Sequence, residues 1–191
     1  MNQDLTEKAK QFVRTTSIPG LLVLERPIHK DDRGFFREIF HQDELEAITG
    51  SDFKGVQMNH SRSMPKVLRG LHAEKWNKII SPVTGKAFLA ILDIRPDSES
   101  FGKYETFTID DDNRISLFVP NGLANSICVI GDEPVDYFYL VDAYYDGSDT
   151  RAVAFNDPEL KIPWPIEDPI VSERDQNNPT LRELFPEKFD E

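Results

Sequence analysis

The sequence contains a single cysteine, Cys128, so no disulfide can form within the chain. It has no apolar run of about 18 residues, and its first residues include no apolar segment of signal-peptide length. These absences argue against a disulfide-rich secreted domain and against a membrane-spanning protein. Because a lone cysteine suits a reducing compartment, we expect a soluble, cytoplasmic protein with no membrane partner.

Basic residues are also in short supply. There are 22 Lys and Arg against 34 Asp and Glu, which gives a formal net charge of −12 and a pI of about 4.8. A nucleic-acid surface needs clustered Lys and Arg to meet the phosphates, so we expect no nucleic-acid partner. An anionic small molecule still fits if a few basic side chains meet locally.

Histidine is scarce as well. The chain has four, His29, His41, His60 and His72, and no two of them form a His-x-His pair. A metal-dependent β-barrel oxygenase needs about three His and a carboxylate at close spacing. We therefore expect neither a metal nor another cofactor, and the metal-dependent enzyme is a minor alternative.

Turns and short apolar segments are abundant. Thirteen Pro and ten Gly are spread along the chain and separate about ten strand-like segments. The segment AFLAILDI (87–94) is apolar at both odd and even positions, which is typical of a strand covered on both faces. The pattern predicts an all-β domain in which two sheets pack face to face, as in a jelly-roll.

Two segments have helical periodicity. Residues 5–14 place apolar side chains on one face, and a short helix is predicted over 43–50 with Gly50 as its stop. We expect one domain over residues 1–191. Its expected parts are an N-terminal helical extension (1–16), a β core (17–165) and a C-terminal tail that wraps over the core (166–191).

A set of short motifs makes the chain recognisable when they are taken in order. They are IPGLLVLE (18–25), DDRGFFREIF (31–40), VQMNHSRS (56–63), VLRGLH (67–72), SFGKY (100–104), VPNGLA (119–124), a Tyr-x4-Tyr-Tyr run (139–145), WPI (164–166) and IVSERD (170–175). With these motifs the chain resembles the 3,5-epimerases that act on thymidine-diphosphate 4-keto-6-deoxyglucose on the route to rhamnose. The resemblance covers about residues 18–178. It implies a jelly-roll of the cupin type and a homodimer formed by exchange of N-terminal strands.

The resemblance also implies a reaction. A ketone at C4 acidifies the hydrogens on C3 and C5, so inversion needs a base, an acid on the opposite face and a positive group at the enolate oxygen. The family motifs assign the base to His72, its carboxylate partner to Asp175, the acid to Tyr139 and the positive group to Lys78. Lys75 is a rival for the last role, because only five residues separate His72 from Lys78 here, a shorter loop than is usual in the family.

The same resemblance implies a binding set for the nucleotide and diphosphate: Arg33, Glu38, Gln57, Asn59 and Arg69. Arg69 and His72 are three residues apart, so an ideal strand would point them to opposite faces, and we expect a bulge or bend at Gly70 to correct this. Asn125 stands near the substrate where the family more often has a histidine.

Several alternatives stay open at this stage. The nucleotide is dTDP, GDP or CDP, and the enzyme inverts both centres or, as a mono-epimerase, only C3 or C5. An alternative of another class is a jelly-roll that binds a nucleotide sugar without catalysis, because a fold does not fix a function.

Overall fold

The computed structural model describes residues 3–147 and 151–189, so residues 1–2 of the predicted extension and 190–191 of the predicted tail lie outside the described chain. Antiparallel strands dominate this part of the chain and the helices are short, which confirms the all-β prediction. None of the described helices has the length and apolar character needed to span a membrane.

The strands in chain order are β1 (Val13–Thr15), β2 (Leu22–Leu24), β3 (His29–Asp31), β4 (Gly34–Phe36), β5 (Gln57–Ser63), β6 (Leu68–Ala73), β7 (Lys78–Pro82), β8 (Ala87–Asp93), β9 (Tyr104–Ile109), β10 (Ser116–Val119), β11 (Leu123–Val129), β12 (Val135–Val141) and β13 (Arg151–Ala152). The helices are α1 (Gln3–Ala9), α2 (Gln42–Thr49), α3 (Glu173–Gln176) and α4 (Leu181–Leu184), followed by a 3₁₀ turn at Pro186–Lys188.

Two large sheets face each other around the main core. One has the strand order β1-β2-β10-β7-β12-β5 and the other β13-β6-β11-β8-β9, while β3 and β4 form a separate hairpin. Alternate residues of both sheets meet between them, among them Leu89 and Ile91 of β8 and Leu117 and Val119 of β10. The inward-facing residues therefore recur with the two-residue period of a strand, as a jelly-roll sandwich requires.

Strand β8 is buried along its whole length, as its continuous apolar sequence predicts. Its other face lies under the C-terminal segment, where the Phe88 ring meets the Trp164 ring edge-on with centroids 5.7 Å apart. Leu181 and Phe185 join the same cluster. The chain after β13 thus covers the outer face of the five-stranded sheet.

The predicted helix over 5–14 was wrong in its second half. Helix α1 ends at Ala9, and Val13–Thr15 forms β1, which pairs with β2. Val13 and Thr15 are β-branched and favour a strand, and Val13 is buried in a cluster with Leu45 of α2. Tertiary packing has therefore overridden the helical spacing of the sequence.

The second helix agrees with its prediction. Gly50 follows α2 with φ at 63°, and its N–H donates to the Glu46 carbonyl at 2.8 Å. Leu45 of α2 packs with Ile79 and Phe118 on the outer face of the six-stranded sheet. Helix α2 therefore covers part of that face.

Candidate active site

A cavity of about 200 Å³ opens between the two sheets. Its walls come from both, because β6 and β11 belong to one sheet and β5, β7 and β12 to the other. Of the ten residues predicted for the site, five line this cavity: Arg69, His72, Lys78, Asn125 and Tyr139. The remaining lining residues are Ser61, Glu74, Ile80, Ile127 and Tyr137.

His72 and Asp175 form a pair on one wall. The His72 Nε2 lies 2.6 Å from Asp175 Oδ1, and Asp175 is almost fully buried within the short helix α3. An ionised carboxylate only accepts, so Nε2 carries the proton and Nδ1 is the nitrogen left for proton transfer. Burial raises the pKa of Asp175, but hydrogen bonds from His72, the Gly70 N–H and Asn178 outweigh it and hold the pKa below its ordinary value.

The strand that carries His72 is irregular at Gly70. Opposite it on β11, the pairing shifts register between Asn125, which faces His72, and Ile127, which faces Arg69. Gly70 has φ at +127°, a region that side chains rarely adopt. The irregularity brings Arg69 and His72 to the same cavity despite their spacing of three, as the expected bulge or bend at Gly70 requires.

Gly70→Ala should therefore lower the free energy of unfolding by about 2–4 kcal/mol. A Cβ at this position would lie 2.7 Å from the Ser126 Cα and 2.8 Å from the Asn125 carbonyl oxygen. The matched control is Gly34→Ala, where φ is +132° and no atom lies within 4 Å of the added Cβ. Urea unfolding of the two variants compares them, and an equal loss in both would show that packing at Gly70 contributes nothing.

Lys78 opens β7 and its ammonium reaches the cavity. Its Nζ donates to the Glu74 carboxylate and to the Asn125 side-chain oxygen. Burial lowers the pKa of Lys78, while the charge and hydrogen bond of Glu74 act in the opposite direction. Lys75, the rival of Lys78, is exposed and lines a different cavity with Arg95.

Tyr139 faces the pair of His72 and Asp175 from the other sheet. On β12 it pairs with Asn59 on one side and Ile80 on the other. Burial, with Tyr137 and Glu74 nearby, raises the pKa of Tyr139 above its ordinary value. The phenol is therefore protonated at neutral pH, which an acid needs.

Two ionisable side chains that line the cavity, Tyr137 and Glu74, were not assigned to it from the sequence. Tyr137 lines the cavity beside Tyr139, with the two ring centroids 6.1 Å apart. Glu74 was not singled out, because spacing of four residues pairs charges only on a helix, and here the contact with Lys78 is made by a loop that leads into β7.

The other predicted binding residues lie outside the cavity lining. Gln57 and Asn59 sit on the face of β5 that Tyr139 shares, and they bond each other at 2.9 Å. Arg33 lies on the exposed β3–β4 hairpin and pairs with Asp31. Glu38 pairs with His41. Within one chain, the structure therefore does not bring Arg33 or Glu38 to the cavity.

Over residues 3–147 and 151–189, no three His, Cys, Asp or Glu side chains come together as a candidate metal site. The groups that meet in the cavity are a histidine–carboxylate pair, a buried ammonium and a phenol. They are equipped for proton transfer next to a carbonyl group.

Comparison with known proteins points to one family. The model of a family described as dTDP-4-dehydrorhamnose 3,5-epimerase matches residues 15–183. A "Protein RmlC homolog" of Streptococcus pyogenes serotype M6 is 39% identical over 197 residues, covering 98% of each chain. The dTDP-4-dehydrorhamnose 3,5-epimerase of Escherichia coli K12 is 37% identical over 175 residues, covering 89% of this chain and 94% of that one.

A solved structure agrees with these sequence matches. RmlC from Streptococcus suis, determined in complex with dTDP-D-xylose, superposes with a TM-score of 0.81 at 38% identity. The superposition covers 90% of this chain and 91% of that one.

Proposed function

This chain belongs to the dTDP-4-dehydrorhamnose 3,5-epimerase family of isomerases, and we propose that it inverts C3 and C5 of a dTDP-linked 4-keto-6-deoxy sugar. The observation that carries the proposal is that His72 and Tyr139 face one cavity from opposite sheets. A sugar ring between them would have a base on one face and an acid on the other.

His72 acts as the base in this proposal. Its Nδ1 takes the proton from C3 or C5, and the electron pair of the broken C–H bond moves onto the C4 oxygen to give an enolate. The Asp175 carboxylate fixes the ring through Nε2 and stabilises the imidazolium that forms. Asp175 therefore acts through His72.

Lys78 and Tyr139 complete the reaction. The Lys78 ammonium donates to the enolate oxygen, where a donor of this kind commonly contributes about 10²–10³ in rate. The Tyr139 hydroxyl returns a proton to the carbon from the opposite face, and the ketone re-forms with the centre inverted. The tyrosinate then takes a proton from water and the His72 imidazolium releases its proton to water, so both groups return to their starting states.

The substrate follows from the relatives and from charge. The E. coli relative is named for inversion of both centres, and the S. suis relative was determined with dTDP-D-xylose. Arg69 supplies positive charge at the cavity of an otherwise acidic chain, in a position to meet the diphosphate. Gln57, Asn59 and Asn125 offer amide groups for the nucleoside and sugar. We place the enzyme in the cytoplasm, in deoxysugar biosynthesis.

Incubation with dTDP-4-keto-6-deoxyglucose in heavy water tests this function, with the GDP- and CDP-linked sugars alongside. We expect deuterium to appear at both C3 and C5 of the dTDP sugar without added metal. NMR measures this incorporation. Deuterium at one carbon only would identify a mono-epimerase. Tight binding of the sugars without any exchange would identify a non-catalytic binding protein and contradict the proposal.

A homodimer would bring the remaining binding residues to a site. All six residues of β3 and β4 are exposed, with Phe35 56% and Phe36 66% accessible. Arg33 at the hairpin tip lies outside the cavity of its own chain. We propose a homodimer in which the N-terminal strands are exchanged and Arg33 and Glu38 complete the partner's site.

A mixing experiment distinguishes this dimer from a self-sufficient subunit. Arg33→Ala and His72→Ala are each expected to lose activity alone. In a heterodimer of the two variants, one of the two sites keeps both His72 and the partner's Arg33. Refolding an equal mixture makes about half of the dimers heterodimers, so about a quarter of wild-type activity should return. If the mixture shows only the sum of the two single variants, each site is built from one chain.

A further inference from the structure

Glu74 is a charged side chain in the cavity for which the proposed reaction has no role. It follows β6 directly, in the four-residue loop 74–77 that leads to Lys78, and only 17% of its side chain is accessible. Its carboxylate contacts the Lys78 ammonium, whose side chain is 5% accessible. Burying most of a carboxylate costs desolvation free energy, and the contact with the Lys78 ammonium offsets this cost.

The surroundings of Lys78 make this contact consequential. The ionisable groups around the cavity are Arg69 and His72 on β6, Glu74 after it, and Tyr137 and Tyr139 on β12, with Asp175 behind His72. Asn125 on β11 is neutral and offers Lys78 only an oxygen. Among these groups only Glu74 places a negative charge directly on the ammonium.

Burial alone would favour the uncharged amine at Lys78, and a neutral amine is a poor partner for an enolate oxygen. Glu74 opposes this, because its charge and hydrogen bond favour the ammonium. The loop that carries Glu74 is anchored, since Asn77 bonds Asp142 through its N–H at 2.9 Å and its side-chain nitrogen at 2.6 Å. The short loop therefore holds the carboxylate in place.

We propose that Glu74 is a positioning residue that keeps Lys78 charged and, together with Asn125, aims its ammonium at the C4 oxygen of the substrate. The role of Lys78 in the reaction rests on the proposed function. The effect of Glu74 on the protonation of Lys78 is a property of the protein without substrate. Glu74 itself exchanges no proton in the reaction. It acts only through Lys78.

The first test is made on the free protein. NMR of protein labelled with ¹³C-lysine follows the Lys78 Cε signal against pH, with Lys78→Met for assignment. We expect Glu74→Gln to move the Lys78 midpoint to lower pH. The double variant of Glu74→Gln and Asn125→Asp should return the Lys78 midpoint toward its wild-type pH, because the carboxylate introduced at position 125 then contacts the Lys78 Nζ. Glu133→Gln, which removes an exposed charge beside Lys86 away from the cavity, should leave it unchanged.

The second test separates Lys78 from Tyr139, because Glu74 is close to both. In a Tyr139→Phe background, deuterium uptake from heavy water needs His72 and Lys78 but no phenol. We expect added Glu74→Gln to shift the alkaline decline of uptake to lower pH and to reduce uptake about 10²–10³-fold above it. Glu74→Asp keeps the charge and should keep the pH at which uptake declines.

The outcomes are distinguishable. An unmoved Lys78 midpoint in Glu74→Gln, or failure of the double variant to restore it, would overturn the proposal. If wild type shows no uptake at all, the proposed epimerase activity fails, while the NMR midpoints still decide the relation between Glu74 and Lys78.

Discussion

We expect His72→Ala to lower the rate of epimerisation about 10²–10⁴-fold and to stop deuterium uptake at both C3 and C5. The reason is that His72 is the side chain on the five-stranded wall of the cavity with a nitrogen suited to remove a carbon-bound proton. Alanine also leaves the Asp175 carboxylate without its closest partner. Steady-state assays and NMR in heavy water measure the two effects.

His60→Ala is a matched control for this variant. The His60 Nε2 lies 2.8 Å from Asp136 Oδ1. Like His72, this histidine is therefore a strand residue that pairs with a carboxylate. It is about half exposed on β5, stacks on Phe138 and does not line the cavity. We expect its activity to stay close to that of wild type. Uptake that survives in His72→Ala would assign the base to another residue.

Five of the ten residues that the sequence assigned to the site line the cavity, and strand motifs contribute to this because they fix which side chains share a face. Tyr139 and Asn59 are two such positions, and the observed pairing of β12 with β5 places them opposite each other. The contact of His72 with Asp175 spans 103 residues of chain. No periodicity predicts a contact of that range, and it came only from the resemblance to a family.

Local irregularities and charge contacts were harder to predict. The conflict between Arg69 and His72 pointed to Gly70, but only the register shift on β11 shows how the chain resolves it. The role of Glu74 depends on how the four-residue loop 74–77 places its carboxylate on Lys78, and loop conformation does not follow from hydrophobic pattern. The predicted helix over 5–14 was wrong in its second half for a similar reason, because burial of Val13 favours strand β1 there.

Arg33 and Glu38 illustrate a different limit. Motif matching assigns them to a binding site, yet in one chain they lie on or near an exposed hairpin, paired with Asp31 and His41. The hydrophobic periodicity of one sequence does not indicate a contact between two copies of the chain. Their role therefore depends on the proposed dimer and on the mixing experiment.

We expect Tyr139→Phe to lose inversion about 10²–10⁴-fold while deuterium uptake continues. Phenylalanine keeps the ring that packs against the core but removes the hydroxyl that returns a proton. His72 still removes the proton, exchanges it with solvent and returns deuterium to the same face. The sugar therefore becomes labelled without changing configuration, which NMR of the recovered substrate measures directly.

Tyr137→Phe is the control, because Tyr137 lines the same wall beside Tyr139. Burial raises the pKa of both phenols, so both are protonated at neutral pH and acidity alone does not choose between them. The family motif assigns the acid to Tyr139 and gives Tyr137 no part in proton transfer. We therefore expect Tyr137→Phe to invert the sugar at nearly the wild-type rate. Loss of inversion in Tyr137→Phe together with its survival in Tyr139→Phe would exchange the roles of the two phenols.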